Sequence, residues 1–224
     1  MFELASKPII FLLFVLIFFF SISFHEFGHS LFAYWLGDNT AKVMGRLTLN
    51  PISHLDPLGS IFFLFSGFVG WAKPVPVNPF RFEKINPKLG MAITSIGGPL
   101  FNLLLASLLA IVARVLTFFD FDLSVWGVNI LAILYYTITI NVLLASFNLI
   151  PIPPLDGAKI LQGTLFSSFD SLWLAMERYG PFILIGLFLL EDASNGRLQP
   201  ISWFIGVLQI PFFYIVRLIS GTGT

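Results

Sequence analysis

The chain has 224 residues, of which 57% are hydrophobic and 11% charged, with a mean hydropathy of +0.90 and a formal net charge of +0. Soluble domains carry about 25% charged residues, so this composition excludes an ordinary soluble domain and predicts a polytopic membrane protein. The balanced charge offers no basic surface for nucleic acid. The absence of cysteine excludes disulfides and thiolate metal sites, so any metal ligand must be His, Asp or Glu.

The first hydrophobic segment runs from about residue 8 to residue 36 and begins with a proline, which suits the first turn of a helix. A segment at about 58–69 is too short for an upright span. The remaining apolar segments are expected at about 91–119, 128–149, 181–190 and 200–219. We therefore predict an all-α bundle of about five to six transmembrane segments, forming one domain over residues 1–224.

Residues 40–57 have a different pattern. Val43, Leu47 and Leu49 alternate with polar neighbours, and an Asn-Pro and an Asp-Pro turn signal follow. This pattern predicts a small membrane-associated β hairpin. Its edge could pair with an extended peptide by strand addition.

The distribution of lysine and arginine orients the predicted bundle. If the first segment ends in the cytoplasm, nine basic residues lie inside, whereas two or three, including Lys7 and Arg197, lie outside. The nine are Lys42, Arg46, Lys73, Arg81, Lys84, Lys88, Lys159, Arg178 and Arg217. We therefore expect a multi-pass protein of the cytoplasmic membrane.

The segment "HEFGH", residues 25–29, places two imidazoles and a carboxylate inside the first predicted span. The spacing puts His25 and His29 on one helix face with Cβ atoms about 5–6 Å apart, so both can bind one Zn²⁺. Glu26 lies beside them and can act as the general base of a metalloprotease. Gly28 leaves room for another backbone or for a substrate. The alternative is a pair of core histidines, which leaves a buried Glu26 unexplained.

Asp156 is the best candidate for a third metal ligand. It follows the prolines of "PIPPLDG", which end a predicted span near the same cytoplasmic depth as the histidines, and Gly157 permits a tight turn. The alternative role for Asp156 is that of a helix N-cap. His54 is a possible alternative ligand, although "HLDPLG" is also typical of a turn at the membrane interface.

Asn102 and Asn148 are two further polar residues within predicted spans. Either could hold an extended substrate backbone or support the irregular segment around Asp156. An interhelical hydrogen bond is an equally good explanation for each. Gly97, Gly98 and Pro99 are expected only to allow two helices to approach closely.

Several stretches of the chain resemble the site-2 protease family of intramembrane zinc metalloproteases. They are "HEFGH", "GGPLFN" and "NLIPIPPLDG", with "GRLTLNPISHLDPLGS" and "GWAKPVPVNPFRF" between them, and they lie within about residues 20–165. The chain has no span left over for a PDZ or CBS domain, so it resembles a short prokaryotic member.

The resemblance implies one zinc ion held by His25, His29 and Asp156, with Glu26 activating a water molecule. It also implies cleavage of transmembrane protein or peptide substrates within the lipid bilayer, at a site nearer the cytoplasmic side. The alternative function is that of a metal-ion-binding membrane transporter, which internal repeats and paired broken helices would favour. The sequence contains one broken segment and no evident repeat.

Overall fold

The computed structural model describes residues 8–66, 73–83, 85–120, 124–125, 128–165 and 170–221. Within these ranges it contains eight α-helices, one two-stranded antiparallel pair and 3₁₀ turns at Pro51–His54 and Pro79–Arg81. The helices are α1 (Pro8–Trp35), α2 (Thr40–Val43), α3 (Pro57–Ser66), α4 (Pro87–Phe118), α5 (Ile130–Asn148), α6 (Asp156–Thr164), α7 (Asp170–Ala193) and α8 (Pro200–Ser220). The strands are β1 (Ser124–Val125) and β2 (Val128–Asn129).

Five helices, α1, α4, α5, α7 and α8, are long and apolar enough to cross a membrane. The prediction of a mainly helical multi-pass membrane protein is therefore confirmed. Helix α7 is much longer than the apolar segment predicted at 181–190. The prediction was too short because Glu177 and Arg178 in the first half of the helix lower the local hydropathy, although they do not interrupt the helix. The predicted segment 58–69 is helical up to Ser66, and its last residues lie outside the described ranges.

The β hairpin predicted over residues 40–57 is wrong. Asp38 accepts hydrogen bonds from the backbone N–H and hydroxyl of Thr40, where α2 starts, and Asn50 accepts one from Ile52 N at the following 3₁₀ turn. Such local bonds between side chain and backbone compete with strand formation. The alternating Val43 is 76% exposed, so the alternation does not mark a buried sheet face. Residues 40–57 therefore provide no edge strand to which an extended peptide could add.

Helix α4 is the centre of the bundle and packs against α1, α5, α6 and α8. Part of the core lies where α4, α5 and α8 meet. Its buried residues are Ala106, Ala110, Ile138, Val142 and Val216. The alanines let the helix backbones approach closely, which is the usual way in which helices pack inside a bilayer.

The contact between α1 and α4 is closer still, because Gly28 and Gly97 face each other across it. A Cβ atom added to either glycine would overlap the backbone carbonyl of the other. Of the two possibilities for Gly28, the structure therefore shows the approach of another backbone. This crossing sets α1 against α4 next to the two histidines.

We expect Gly28→Ala to lower the free energy of unfolding by about 1–3 kcal/mol, because the added methyl group forces α1 and α4 apart. The matched control is Gly186→Ala on α7, where an added Cβ meets nothing within 4 Å. Thermal unfolding in detergent micelles, with a chelator present so that metal binding does not contribute, measures both. Equal stability of the two variants would contradict the close contact.

Candidate active site

Three ligand atoms from two distant parts of the chain converge between α1 and the start of α6. His25 Nε2 lies 3.1 Å from His29 Nε2, and each lies 3.1 Å from Asp156 Oδ2. Among the described residues these three side chains form a cluster able to hold a metal ion, and His25 and Asp156 are 7% and 5% exposed. Tetrahedral zinc, with bonds of about 2.0–2.1 Å, holds its ligand atoms roughly 3.3 Å apart, so the spacing fits.

The hydrogen bonds on the far side of each imidazole explain why a cation suits this position. His25 Nδ1 lies 2.6 Å from Asn102 Oδ1, and His29 Nδ1 lies 2.9 Å from the backbone oxygen of Thr94. A neutral imidazole that donates from Nδ1 presents a lone pair at Nε2. Two lone pairs and a carboxylate oxygen then face one another inside the bundle, an arrangement that is unfavourable without a cation.

Gly98 keeps the space beside these atoms free. A Cβ atom at this position would come into contact with Nε2 of both His25 and His29. The expectation that Gly98 serves only close helix packing was therefore incomplete. The donor set, its spacing and this open space together fit a bound zinc ion.

Asp156 reaches the histidines because the chain changes direction after α5. Prolines at 151, 153 and 154 prevent α5 from continuing, and α6 begins at Asp156 itself. Leu155 occupies the N-cap position, and the cap makes no side-chain hydrogen bond, so Asp156 does not act as the N-cap. A Cβ atom at Gly157 would overlap the backbone of Leu149, which shows how tightly the turn folds back. Lys159 Nζ lies 4.0 Å from the other carboxylate oxygen, Oδ1.

Glu26 lies on the adjacent side of the same turn, as the sequence predicts, and borders the same cavity as the three ligand candidates. Its Oε2 accepts a hydrogen bond of 3.1 Å from the backbone N–H of Val75. Val75 belongs to the irregular segment 73–78. That segment is anchored by Arg46, which donates to Lys73 O, and by the buried Asp38, which accepts from Asn78 N at 2.6 Å.

The cavity has a volume of about 520 Å³ and is bounded by α1, α4, α5, α6, α7 and segment 73–78. Most of its lining is apolar. The apolar lining includes Phe18, Ile22, Val75, Val77, Met91, Leu144, Phe147 and Leu184. His25, Glu26, His29, Asn148, Asp156 and Lys159 supply its main polar groups.

The other residues predicted from the sequence lie outside the three-residue metal cluster. His54 is buried, its Nε2 lies 2.8 Å from Thr48 O, and it is not part of the three-residue metal group. Asn148 lines the cavity and donates from Nδ2 to Leu144 O of its own helix. Asn102 is fully buried and contacts His25, so it faces the histidine instead of the cavity. Sequence reasoning missed Asn141, although an asparagine in the middle of a span is a signal in itself.

The site contains two imidazoles and a carboxylate around one point, with a second carboxylate beside them, in a bundle of apolar helices. This arrangement is typical of one class of protein, the membrane-embedded metalloproteases. The model of Peptidase family M50 matches residues 13–124 and 115–176. The chain belongs to this family.

Relatives with assigned names agree with the family match. The chain is 38% identical over 186 residues to "Putative zinc metalloprotease YwhC" of Bacillus subtilis, with 78% of each chain covered. It is 32% identical over 194 residues to "Putative zinc metalloprotease Rip2" of Mycobacterium tuberculosis, covering 84% of this chain and 68% of that one. It is 30% identical over 160 residues to "Zinc metalloprotease MJ0392" of Methanocaldococcus jannaschii, covering 71% of this chain and 36% of that one. No solved structure matches the chain significantly.

The chain is thus a zinc metalloprotease and a multi-pass membrane protein. The predicted membership of the site-2 protease family, the enzyme class and the zinc cofactor are confirmed. The comparisons give no support to the transporter alternative.

We expect Gly98→Ala to weaken zinc binding about tenfold or more, because the added methyl group displaces the two imidazoles from their shared position. Competition with a zinc-binding indicator in detergent micelles measures the affinity. Gly206→Ala on α8, where an added Cβ meets nothing within 4 Å, serves as the control and keeps the wild-type affinity. Unchanged zinc affinity of Gly98→Ala would show that the ion is held elsewhere.

Proposed function

We propose that His25, His29 and Asp156 hold the zinc ion and that Glu26 is the general base. The observation that carries this proposal is the mutual spacing of 3.1 Å among the three ligand atoms, which fits one tetrahedral zinc ion. We further propose that residues 1–224 act as one intramembrane protease domain, which cleaves peptide bonds within or near the transmembrane segments of membrane-anchored proteins.

A bound zinc ion supplies Lewis-acid chemistry, which polarises a peptide carbonyl and acidifies a water molecule. Glu26 borders the same cavity, where its carboxylate takes a proton from the attacking water and passes it to the leaving amine. The hydrogen bond from Val75 N holds Glu26 Oε2 in a fixed direction while leaving its other oxygen for this transfer. Because Val75 donates only from the backbone, the bond does not depend on its side chain.

The apolar lining of the cavity supports a transmembrane segment as the substrate. A helix that crosses a bilayer has its peptide carbonyls hydrogen-bonded internally, so it must unwind locally before a carbonyl can be attacked. Polar groups at the cavity must then replace the lost backbone bonds. Asn148 lines the cavity, and we propose that its side chain holds the extended substrate backbone.

The proposed location is the cytoplasmic membrane, with the site nearer the cytoplasmic side. Five basic residues lie between α1 and α4 and one, Lys159, lies between α5 and α7, whereas residues 119–129 between α4 and α5 contain none; this distribution supports the orientation. The site lies close to the same ends of those helices, since Glu26 accepts a hydrogen bond from segment 73–78, and Asp156 stands at the end of the short connection 149–155 that leaves α5.

The general-base role predicts that Glu26→Gln keeps zinc at the wild-type level and cleaves about 10²–10⁴-fold more slowly. Asp156→Ala should lose both zinc and cleavage, because the third ligand is gone. Zinc content of the purified variants and cleavage of a panel of single-span peptides in liposomes measure the two properties.

The control for this experiment is Glu191→Gln, a change of the same chemistry on α7, where the carboxylate accepts hydrogen bonds from Ser202. It should cleave at the wild-type rate. Wild-type cleavage by Glu26→Gln would exclude the general-base role. If the wild-type protein cut soluble peptides but no membrane-spanning one, the intramembrane part of the proposal would fail.

The orientation can be tested without background labelling, because the chain has no cysteine. We expect Arg197→Cys, between α7 and α8, to react with a membrane-impermeant maleimide on intact spheroplasts. Phe80→Cys, at a side chain that is 87% exposed, should react only after permeabilisation. The reverse pattern would place the site at the opposite membrane surface.

A further inference from the structure

A chain of buried amides leads from the interior of the bundle to His25. Asn102 on α4, Asn141 on α5 and Ser21 on α1 are each 0% exposed. We propose that Asn102 and Asn141 are positioning residues, which hold the His25 imidazole so that Nδ1 donates to Asn102 and Nε2 points to the metal. This inference rests on the proposed zinc site.

The direction of the Asn102 amide follows from its partners. Its Nδ2 lies 3.1 Å from the backbone oxygen of Ser21 and 2.8 Å from Asn141 Oδ1. A backbone carbonyl can only accept a hydrogen bond, so the NH₂ group of Asn102 must face Ser21. The Oδ1 atom of Asn102 is thereby turned to His25 Nδ1, 2.6 Å away, and accepts its proton.

The direction of the Asn141 amide is fixed in the same way. Its Nδ2 lies 2.8 Å from the backbone oxygen of Thr137 and 2.9 Å from Ser21 Oγ. Its Oδ1 must therefore face Asn102 and accept from it. Reversing either amide would place two oxygens against each other in an apolar interior, which costs far more than a lost bond in water.

The consequence is specific to one of the two histidines. His29 donates from Nδ1 to the backbone oxygen of Thr94, a bond that does not depend on the residue type at position 94. His25 depends on a side-chain acceptor at position 102 and, through it, on position 141. The second hydrogen bond of a metal-bound histidine fixes the ring orientation and tautomer, and its loss typically costs 10- to 100-fold in metal affinity.

The first test compares Asn102→Leu with the wild-type protein, because leucine has a similar volume and no acceptor. We expect a 10- to 100-fold fall in zinc affinity, measured by indicator competition in detergent micelles. The matched control is Ser146→Ala on α5, which removes a buried hydrogen bond to Val142 O away from this network. It should bind zinc like the wild-type protein.

A general structural role is separated from a positioning role by repeating Asn102→Leu in the His25→Ala background. A residue that acts through His25 should cause no further loss of zinc affinity there. An equal loss in both backgrounds, or wild-type affinity of Asn102→Leu, would overturn the inference. If Asn102→Leu does not fold, Asn141→Leu is the second variant. It removes the acceptor for Asn102, together with the donor to Ser21 Oγ and Thr137 O, but leaves the bond between His25 and Asn102 in place. It should give a smaller loss in the same cycle; the absence of any loss would overturn the inference.

The metal site and the positioning role fail in different ways. If His25→Ala binds zinc as tightly as the wild-type protein, the proposed ligand set itself is wrong. If His25→Ala loses affinity but neither asparagine variant does, the ligand set stands and the positioning role alone is overturned.

Discussion

The structure is organised around three ligand atoms that meet within an apolar helical bundle. His25, His29 and Asp156 bring two imidazole nitrogens and a carboxylate oxygen to mutual distances of 3.1 Å. Such a cluster is costly in the absence of a compensating cation. The surrounding fold is arranged to make the cluster possible: hydrogen-bond acceptors hold the far side of each ring, and a proline-broken connection returns the carboxylate to α1.

Helix α4 both packs against α1 and carries groups that contact the two histidines. Its Gly97 allows α1 to approach until backbones touch, and the next residue, Gly98, leaves free the space that both imidazoles border. One turn after Gly98, the side-chain oxygen of Asn102 accepts a hydrogen bond from His25. One turn before Gly98, the backbone carbonyl of Thr94 accepts one from His29. Because these groups share one rigid helix, a change in helix packing also changes the geometry of the candidate metal site.

Local patterns in the sequence were sufficient for the features that depend on neighbouring residues. The spacing of His25 and His29 places them on one helix face whatever surrounds the helix, and the long apolar runs predict spans by length alone. The prediction of a β hairpin over residues 40–57 was wrong because alternation of apolar and polar residues is a weak signal over so short a stretch. The hydrogen bonds accepted by Asp38 and Asn50 favour short helical turns instead. The start of α7 was missed because its charged residues lower the local hydropathy.

The sequence by itself determined the membrane class, the paired histidines and Glu26 beside them, since each depends on composition or on spacing along one element. For the third ligand it gave Asp156 as the best candidate and His54 as an alternative. Only the tertiary structure decided that Asp156 meets the histidines, that Gly98 borders them and that Asn141 supports Asn102. These contacts join residues from different helices. Their distances are set by how α1, α4, α5 and α6 pack, which periodicity within a single helix cannot specify.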